Sequence, residues 1–413
     1  MSDRLTVRQG GVVVGHIARR ADGALTFSYA DAWRSSSTAH ALSSTLPLTD
    51  DAFDASYFTN LLPDGDARAL LARRMGISEE NDFEFLRRFG ADCAGALTIV
   101  DDDDPPLFGV ELADQASLVV DEALGRELQG AAGFTVAFAR GARLSLAGAQ
   151  PKLAVVVENE RLVLPLDGRP TTHIVKLPNP RFGGLVENEA IVLGLARAVG
   201  LPVVDTELVR VGGAPALLVA RFDRRVTSSG VVRLEQRDLC QVLGLPPERK
   251  YEREGGPSLK VVFDVVRDTV VDPLPAARAL LSWVAFNVVV HNADAHAKNL
   301  ALLRAAGRES LAPFYDLVCT GAFPSIDRSL AMGIGGRFDP DALSRAAWDG
   351  FAHDVGLGKK LVREVIERTA IGVKDALPRV IDDVTARVGR VGRRQQVERA
   401  IRRRVEGAVR SLS

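Results

Sequence analysis

A polar segment between two apolar stretches constrains this chain of 413 residues more than any other feature. The first apolar stretch runs roughly from Ala279 to Val290, and the polar segment from His291 to Asn299 follows it directly. The second apolar stretch is Leu300–Leu303. The first stretch is shorter than the ~20 residues that a membrane span needs, and Ser282 and Asn287 interrupt it, so it predicts a buried helix. Polar groups between buried elements must be hydrogen-bonded or hydrated at some cost, and such clusters usually have a purpose.

The spacing within the polar segment leaves three interpretations open. Asp294 lies five residues before Asn299, the spacing of a protein-kinase catalytic loop, and Asp316 falls where a metal-binding acid should follow. That chemistry needs a carboxylate to accept the proton of a hydroxyl nucleophile, and hard oxygen ligands to hold Mg²⁺ at the phosphates. Alternatively, His291, Asp294 and His296 are the transition-metal ligands of a phosphohydrolase. In the simplest interpretation, Asp294 caps a helix.

An upstream strand and helix favour the kinase interpretation. Lys176 ends a β-branched strand predicted over Thr172–Leu177, and the helix predicted over Val186–Val199 offers Glu187 and Glu189 as partners for it. A kinase places its phosphate-binding lysine and the helix that orients it in this order. The chain has no Gly-x-x-x-x-Gly-Lys-Ser/Thr sequence, which argues against a P-loop enzyme.

A loop rich in small residues, Leu144–Lys152, lies just before another predicted strand. Its backbone N–H groups suit a close approach to phosphate, and Lys152 adds a positive charge. An ordinary surface turn is the alternative, and it is the better one for this loop taken alone.

Composition narrows the class of protein. Hydrophobic residues make up 46% and charged residues 25%, as in an average soluble globular protein. The net charge of −1 gives no global field that would draw the chain to nucleic acid or to an anionic membrane. Three widely spaced cysteines form no CxxC pair, and charges fill the start of the chain where a signal peptide would be apolar. We therefore expect a cytoplasmic protein that is not membrane-bound.

The organisation along the chain follows from local patterns. Residues 1–30 alternate as strands around Gly10-Gly11 and predict a hairpin, and residues 52–88 are helical. The acidic run that ends in two prolines, Asp101–Pro106, indicates a boundary, with a turn inside one domain as an equal alternative. After Asp223 the strand signal fades and helical periodicity dominates.

Seven motifs occur in an order that resembles one known family. They are SLAGAQPKLAV, THIVKLP, ENEAIVLGLARAVGLPV, VARFDRR, RLEQRDLCQVLGLPPERKYEREGGPS, NADAHAKN and PFYD. Together they resemble the HipA family of serine/threonine kinase toxins of bacterial type II toxin–antitoxin systems. The segments LSSTLPL and YFTNLLPDGDARALLARR are similar to the small domain that precedes the kinase core in that family.

The resemblance implies an α+β fold: a two-lobed protein-kinase-like core with a mixed N-lobe, a helical C-lobe and a small N-terminal α+β subdomain. The expected divisions are 1–106 for the N-terminal subdomain, 107–222 for the N-lobe that binds nucleotide phosphate, and 223–413 for the helical C-lobe with the catalytic loop.

The resemblance also implies a role for each residue of the catalytic loop. Asp294 matches the catalytic base of the family, and Asn299 with Asp316 match its Mg²⁺ ligands. His296 and Lys298 fall in the same loop and support the phosphates or the acceptor.

For ATP, the resemblance implies that Lys176 contacts phosphate, that the backbone at Ala220 and Phe222 binds adenine, and that Asp223 lies near the ribose. Ala220 departs from the acidic residue of the best-known member, but a backbone contact tolerates that change. Ser145 matches the autophosphorylated serine of the family. The loop that covers the phosphates contributes Gly148, Ala149, Gln150 and Lys152.

A kinase with this resemblance uses ATP and Mg²⁺ to phosphorylate a translation protein, expected to be an aminoacyl-tRNA synthetase. A small helix-turn-helix antitoxin (HipB-like) neutralises it, and it meets operator DNA only through that antitoxin. The rival functions are a catalytically weak corepressor and the metal-dependent phosphohydrolase. The stretch Arg387–Arg410, with nine arginines and two glutamates, is either a DNA-phosphate contact or a solvated helix face.

Overall fold

The computed structural model of the protein describes residues 3–102, 117–128, 150–165, 169–179 and 181–413. The chain forms two compact units, the first made of Met1–Leu177 with Val209–Pro247 and the second of Pro178–Leu208 with Glu248–Ser413. Most of the predicted boundary at Asp101–Pro106 lies outside the described residues, and the three-part division of the sequence stays a prediction.

The first unit begins with a five-stranded antiparallel sheet in the order β4-β3-β2-β1-β5. Its strands are β1 (Arg4–Gln9), β2 (Val12–Arg19), β3 (Leu25–Tyr29), β4 (Phe53–Asp54) and β5 (Leu97–Val100). Helices α1 (Asp31–Arg34), α2 (Ser56–Thr59), α3 (Gly65–Met75) and α4 (Asp82–Phe89) lie between the strands in sequence. The predicted hairpin is confirmed, since Gly10 and Gly11 take the positive φ angles of +55° and +86° that a two-residue turn requires.

A second sheet of six strands runs in the order β10-β11-β9-β7-β8-β6. Its strands are β6 (Ser117–Val119), β7 (Lys152–Glu158), β8 (Arg161–Pro165), β9 (His173–Lys176), β10 (Thr206–Val211) and β11 (Ala214–Ala220), and α5 (Glu122–Glu127) follows β6. Apolar residues of both sheets form one buried cluster, in which Phe27 and Phe58 of the N-terminal part join Leu153 and Val175. The strand predicted over Thr172–Leu177 is present as β9.

Short strands complete the first unit. They are β12 (Arg224–Thr227), β13 (Gly230–Arg233) and β14 (Glu235–Asp238), followed by a helix over Leu239–Leu243. The β12–β13 hairpin is absent from the sequence prediction, which expected helical structure after Asp223. Its strands have only four residues each and its Val226 is 71% exposed, so it leaves no apolar periodicity to detect.

The second unit is mainly helical. Its helices are α6 (Leu185–Ala198), α7 (Leu259–Thr269), α8 (Pro273–Val290), α9 (Arg345–Asp354), α10 (Lys359–Val388) and α11 (Arg394–Arg410), and β15 (Ala301–Ala305) pairs with β16 (Arg308–Leu311). The predicted helix Val186–Val199 is confirmed within one residue at each end, and Gly200 follows it at φ +81°.

The apolar helix α8 forms the centre of the second unit. It packs against α7, α10 and α11, and its Leu280, Phe286 and Val290 are fully buried. By length and composition it also meets the requirements of a membrane span, but 67% of its apolar window is buried inside the protein. The prediction of a buried helix is therefore confirmed.

A buried network of charges lies in the first unit, around the motif VARFDRR. The carboxylate of Asp223 accepts hydrogen bonds from Arg221 at 2.8 Å and from Arg224 at 2.7 Å, and Arg224 also binds Asp92 at 3.0 Å. Burial alone would raise the pKa of Asp223, but the two guanidinium groups outweigh it and lower that pKa to about 2. The network joins the segment at Asp92 to the segment that follows β11.

We expect Asp92→Asn to destabilise the protein strongly. The substitution keeps the shape of the side chain but leaves the buried Arg221 and Arg224 with one counter-ion fewer, which costs about 3–5 kcal/mol of the free energy of unfolding. Urea titration of the full chain measures this. Asp22→Asn is the matched control, because the Arg20–Asp22 pair is more than half exposed and should contribute below about 1 kcal/mol. Equal losses in the two variants would contradict the role of the network.

Candidate active site

The polar loop (His291–Asn299) is fixed where it leaves α8. His291 ends that helix in a left-handed conformation, and its carbonyl oxygen accepts a hydrogen bond from the hydroxyl of Thr320 at 2.8 Å. The same hydroxyl oxygen accepts the backbone N–H of Ala293 at 2.8 Å. A Cβ atom at Gly321 would lie 2.4 Å from the His291 ring, so only glycine lets these segments approach so closely. These contacts fix the start of the loop within the fold.

Asp294 presents its carboxylate at the surface of this loop. Its backbone N–H donates to the side-chain oxygen of Asn292 at 3.1 Å, and its side chain is 49% exposed. The hydroxyl of Tyr251 donates a hydrogen bond to Oδ1 of Asp294, and Nε2 of His296 lies 3.7 Å from the same oxygen. The loop thus holds an accessible carboxylate in a defined orientation, as a general base requires.

Asn299 and Asp316 lie on segments that hydrogen bonds hold side by side. The N–H of Ala312 donates to the carbonyl of Ala301 at 2.9 Å, and the hydroxyl of Tyr315 donates to the carbonyl of Lys298 at 2.7 Å. The amide nitrogen of Asn299 donates to the carbonyl of Asp294 at 2.7 Å, which commits the nitrogen to the protein and leaves the amide oxygen as a ligand. An amide oxygen and a carboxylate are the ligand types that Mg²⁺ prefers.

Asp316 has a strained backbone. Its φ angle is +52°, in the left-handed region where residues other than glycine are uncommon. Such strain costs of order 1–3 kcal/mol and is concentrated at functional sites. The placement of Asp316 directly after Tyr315 fits the predicted role of a metal ligand.

The two competing interpretations of the polar loop find no support in the geometry. The short helical turn Ala297–Asn299 has His296 at its N-cap, so Asp294 does not cap it. Burial lowers the pKa of His291 to about 4, helped by Arg404 and Arg328, and the His291 ring lies 3.4 Å from the carbonyl of Arg328. Among the described residues, no three His, Cys, Asp or Glu side chains converge on one point where they would hold a metal ion.

Two buried lysines face each other in the second sheet. Lys152 on β7 is the register partner of Lys176 on β9, and the two are 7% and 6% exposed. Side chains directly opposite each other in antiparallel strands lie on the same face, with Cβ atoms about 4.5–5.5 Å apart. Two ammonium groups that share one face of a sheet suit an anionic ligand such as phosphate.

The other predicted nucleotide residues of the first unit are near the end of β11. Ala220 is the register partner of His173, and Phe222 follows two residues later. Asp223 is only 3% exposed and its carboxylate is occupied by the buried charge network, so the structure does not present it to a ribose. The side chain of Gln150 donates to the carbonyl of Leu177 at 3.3 Å. Ser145, Gly148 and Ala149 lie outside the described residues.

Glu187 and Glu189, the predicted partners of Lys176, are both buried on α6 in the second unit. Glu187 lies 3.5 Å from the backbone N–H of Gly392. Their pairing with Lys176 stays a prediction.

Sequence reasoning missed Tyr251. The residue lies in the motif RLEQRDLCQVLGLPPERKYEREGGPS, which carried the resemblance, but a single tyrosine 43 positions before Asp294 gives no chemical signal. Only the folded structure shows that its hydroxyl reaches the carboxylate.

Comparisons with known proteins identify the family of this chain. The family of HipA-like C-terminal domains matches residues 144–377, and the family of HipA N-terminal domains matches residues 5–100. The putative kinase Y4mE of Sinorhizobium fredii is 39% identical over 388 residues, which cover 92% of each chain. The serine/threonine-protein kinase toxin HipA of Shewanella oneidensis is 30% identical over 397 residues, which cover 91% of this chain and 89% of that protein.

A solved structure gives the same result. The complex of HipA, HipB and operator DNA from Shewanella oneidensis MR-1 contains a chain that matches with a TM-score of 0.79 and 26% identity, over 99% of this chain and 97% of that one. The predicted α+β kinase fold is thereby confirmed. Two domain families together match most of the chain. The relative Y4mE aligns over about nine-tenths of its length. The chain belongs to the HipA family of serine/threonine-protein kinases.

Proposed function

We propose that this protein is a kinase toxin that transfers phosphate from Mg²⁺-ATP to a serine or threonine at the polar loop. The observation that carries the proposal is the arrangement of that loop. It presents the half-exposed carboxylate of Asp294, and hydrogen bonds hold Asn299 and Asp316 on adjoining segments. Phosphoryl transfer needs these parts: an acceptor for the hydroxyl proton and hard oxygen ligands for the metal.

In the proposed reaction, Asp294 takes the proton of the acceptor hydroxyl while the hydroxyl oxygen bonds to the γ-phosphorus. The bond from that phosphorus to the bridging oxygen breaks, and ADP leaves. Asn299 and Asp316 would hold Mg²⁺, which neutralises charge on the phosphates when it is bound. Lys152 and Lys176 would bind phosphate oxygens, and His296 and Lys298 would support the phosphates or the acceptor. The backbone at Ala220 and Phe222 is proposed to bind adenine, with the phosphate-covering loop supplying Gly148, Ala149 and Gln150.

Regulation by Ser145 is part of the proposal. Autophosphorylation there would add roughly −1.5 to −2 charges beside the loop that covers the phosphates. That charge would repel the triphosphate of ATP and hold the loop away from it. The modification would therefore switch the kinase off.

The proposed target and partner follow the family. From the family resemblance we infer that the protein phosphorylates an aminoacyl-tRNA synthetase. We also infer that a helix-turn-helix antitoxin neutralises it, since the Shewanella HipA chain occurs in a complex with HipB and operator DNA. The cytoplasm is the proposed location, because ATP and the target are found there. The three cysteines, buried and without disulfides, fit a reducing compartment.

We expect Asp294→Asn and Asp316→Ala to fail in different ways. Asp294→Asn should lower phosphoryl transfer by at least about 100-fold while ATP still binds, because only the base is lost. Asp316→Ala should weaken Mg²⁺-ATP binding itself, because a metal ligand is lost. Intact-mass spectrometry with peptide mapping at Ser145 follows transfer, and calorimetry follows binding. Normal transfer by Asp294→Asn would exclude it as the base.

We expect Lys176→Met and Lys152→Met each to weaken ATP binding by about tenfold, since each removes one charge-assisted contact worth about 1.5 kcal/mol and keeps the apolar stem. Lys260→Met is the matched control, because that lysine is 60% exposed and pairs with Asp264. Calorimetry with ATP gives the three affinities. An unchanged affinity in both sheet variants would remove these lysines from the phosphate site.

We expect operator DNA binding to require the antitoxin. The net charge of −1 gives the isolated chain little attraction for DNA phosphate. In gel-shift assays at physiological salt, the isolated protein should leave operator DNA unshifted, and addition of its helix-turn-helix partner should produce a ternary band above that of the partner alone. Tight, sequence-specific binding by the isolated protein would contradict this part of the proposal.

A further inference from the structure

The carboxylate of Asp294 has an asymmetric environment. Oδ1 accepts the hydroxyl hydrogen of Tyr251 and lies 3.7 Å from Nε2 of His296. No hydrogen bond reaches Oδ2 from the residues that the structure describes, and the side chain is 49% exposed. One oxygen is therefore held by the protein, and the other is open to an acceptor.

Tyr251 is itself held firmly against the polar loop. The N–H of Ala297 donates to the carbonyl of Lys250 at 3.2 Å, which ties the segment before Tyr251 to the loop. The Tyr251 ring packs edge-on against the ring of His296, with 5.0 Å between the ring centroids. Such a contact between aromatic rings is favourable beyond the area that it buries. The ring is thus held by the backbone contact of the preceding residue and by the His296 ring.

A tight turn that follows Tyr251 in the sequence also fixes its position. The N–H of Gly256 donates to the carbonyl of Tyr251 at 2.9 Å. A Cβ atom at Gly256 would lie 2.5 Å from the carbonyl oxygen of Arg249 and 2.7 Å from that of Tyr251, so a larger residue would open the turn. The glycine therefore serves the placement of the tyrosine.

We propose that Tyr251 is a positioning residue for phosphoryl transfer: it fixes the carboxylate of Asp294 through Oδ1, so that Oδ2 meets the acceptor hydroxyl. This inference rests on the proposed function of Asp294 as the base. Tyr251 keeps its own proton throughout. The acceptor proton goes to Oδ2, the acceptor oxygen bonds to the γ-phosphorus, and the bond from that phosphorus to the bridging oxygen of ADP breaks.

The opposite role makes an opposite prediction. A tyrosine hydroxyl that is hydrogen-bonded to the carboxylate of the base also occupies a position like that of an acceptor hydroxyl. A tyrosine that blocked the base in this way would inhibit transfer. Removal of the hydroxyl then raises the rate, whereas removal of a positioning hydroxyl lowers it. The sign of the change separates the two roles.

Tyr251→Phe tests the proposal, because it removes the hydroxyl and keeps the ring against His296. We expect kcat to fall about tenfold. This is the lower end of the effect expected when one hydrogen bond to a charged group is lost. The KM values for ATP and for the acceptor should stay within about twofold of those of the unchanged protein. The midpoint of thermal unfolding should stay within about 2 °C. A kcat that is unchanged or higher would overturn the proposal.

A double-mutant cycle separates positioning from a general structural effect. If Tyr251 acts through Asp294, Tyr251→Phe should lower the residual rate of Asp294→Asn by less than about twofold in single-turnover assays with radiolabelled ATP. Tyr315→Phe is the matched control, because its hydroxyl donates to the backbone of Lys298 and not to Asp294. Its effect should be the same in both backgrounds, and a full effect of Tyr251→Phe in the Asp294→Asn background would overturn the proposal.

The proposed function of Asp294 and the proposed role of Tyr251 can fail separately. If Asp294→Asn transfers phosphate at the normal rate, the proposed function of Asp294 fails. If Asp294→Asn is inactive and Tyr251→Phe is fully active, the kinase function stands and the role of Tyr251 is wrong.

Discussion

The enclosure of polar groups in the loop after α8 is the constraint on which the functional part of the structure depends. Asn292, His296, Lys298 and Asn299 are each at most 7% exposed. A buried polar group left without a partner costs about 1–3 kcal/mol, so the chain must supply donors and acceptors at fixed positions. The hydroxyl of Thr320 supplies one of each at the start of the loop, because it donates to the carbonyl of His291 and accepts from the N–H of Ala293. These requirements give the loop one conformation, and that conformation sets the direction of Asp294.

The same constraint explains the motif VARFDRR in the first unit. The family resemblance suggests a nucleotide role for this motif, yet its Arg221 and Arg224 are buried in ion pairs with Asp92 and Asp223. Charges survive burial only when opposite charges and hydrogen bonds surround them. A ribose contact by Asp223 would compete with two guanidinium groups, whereas backbone contacts from Ala220 and Phe222 would leave the network intact. The motif therefore has a structural role that its sequence alone does not reveal.

Features with local causes were predictable from the sequence. The hairpin at Gly10-Gly11, the helix that ends before Gly200 and the buried helix α8 each follow from patterns within 20 residues. The spacing of Asp294 and Asn299 is local too, although the sequence alone left its meaning open. Contacts between distant residues were not predictable: Tyr251 and Asp294 are 43 positions apart, and Asp92 and Arg224 are 132 apart. Periodicity carries no information on which distant side chains meet.

The energetic cost of strained and buried groups at the candidate site favours phosphoryl transfer over a purely binding function. A corepressor needs only a surface for its partner, and nothing in that role requires a strained acid at Asp316 or the enclosed amine of Lys298. A left-handed residue with a side chain is less stable than glycine at the same φ, and an apolar side chain at position 298 would avoid the burial of a charge. Backbone strain of this kind clusters at active sites, which supports the proposed role of Asp316. If Asp294 is the base, as proposed, its carboxylate with one oxygen open and the other held would give these costs a chemical purpose.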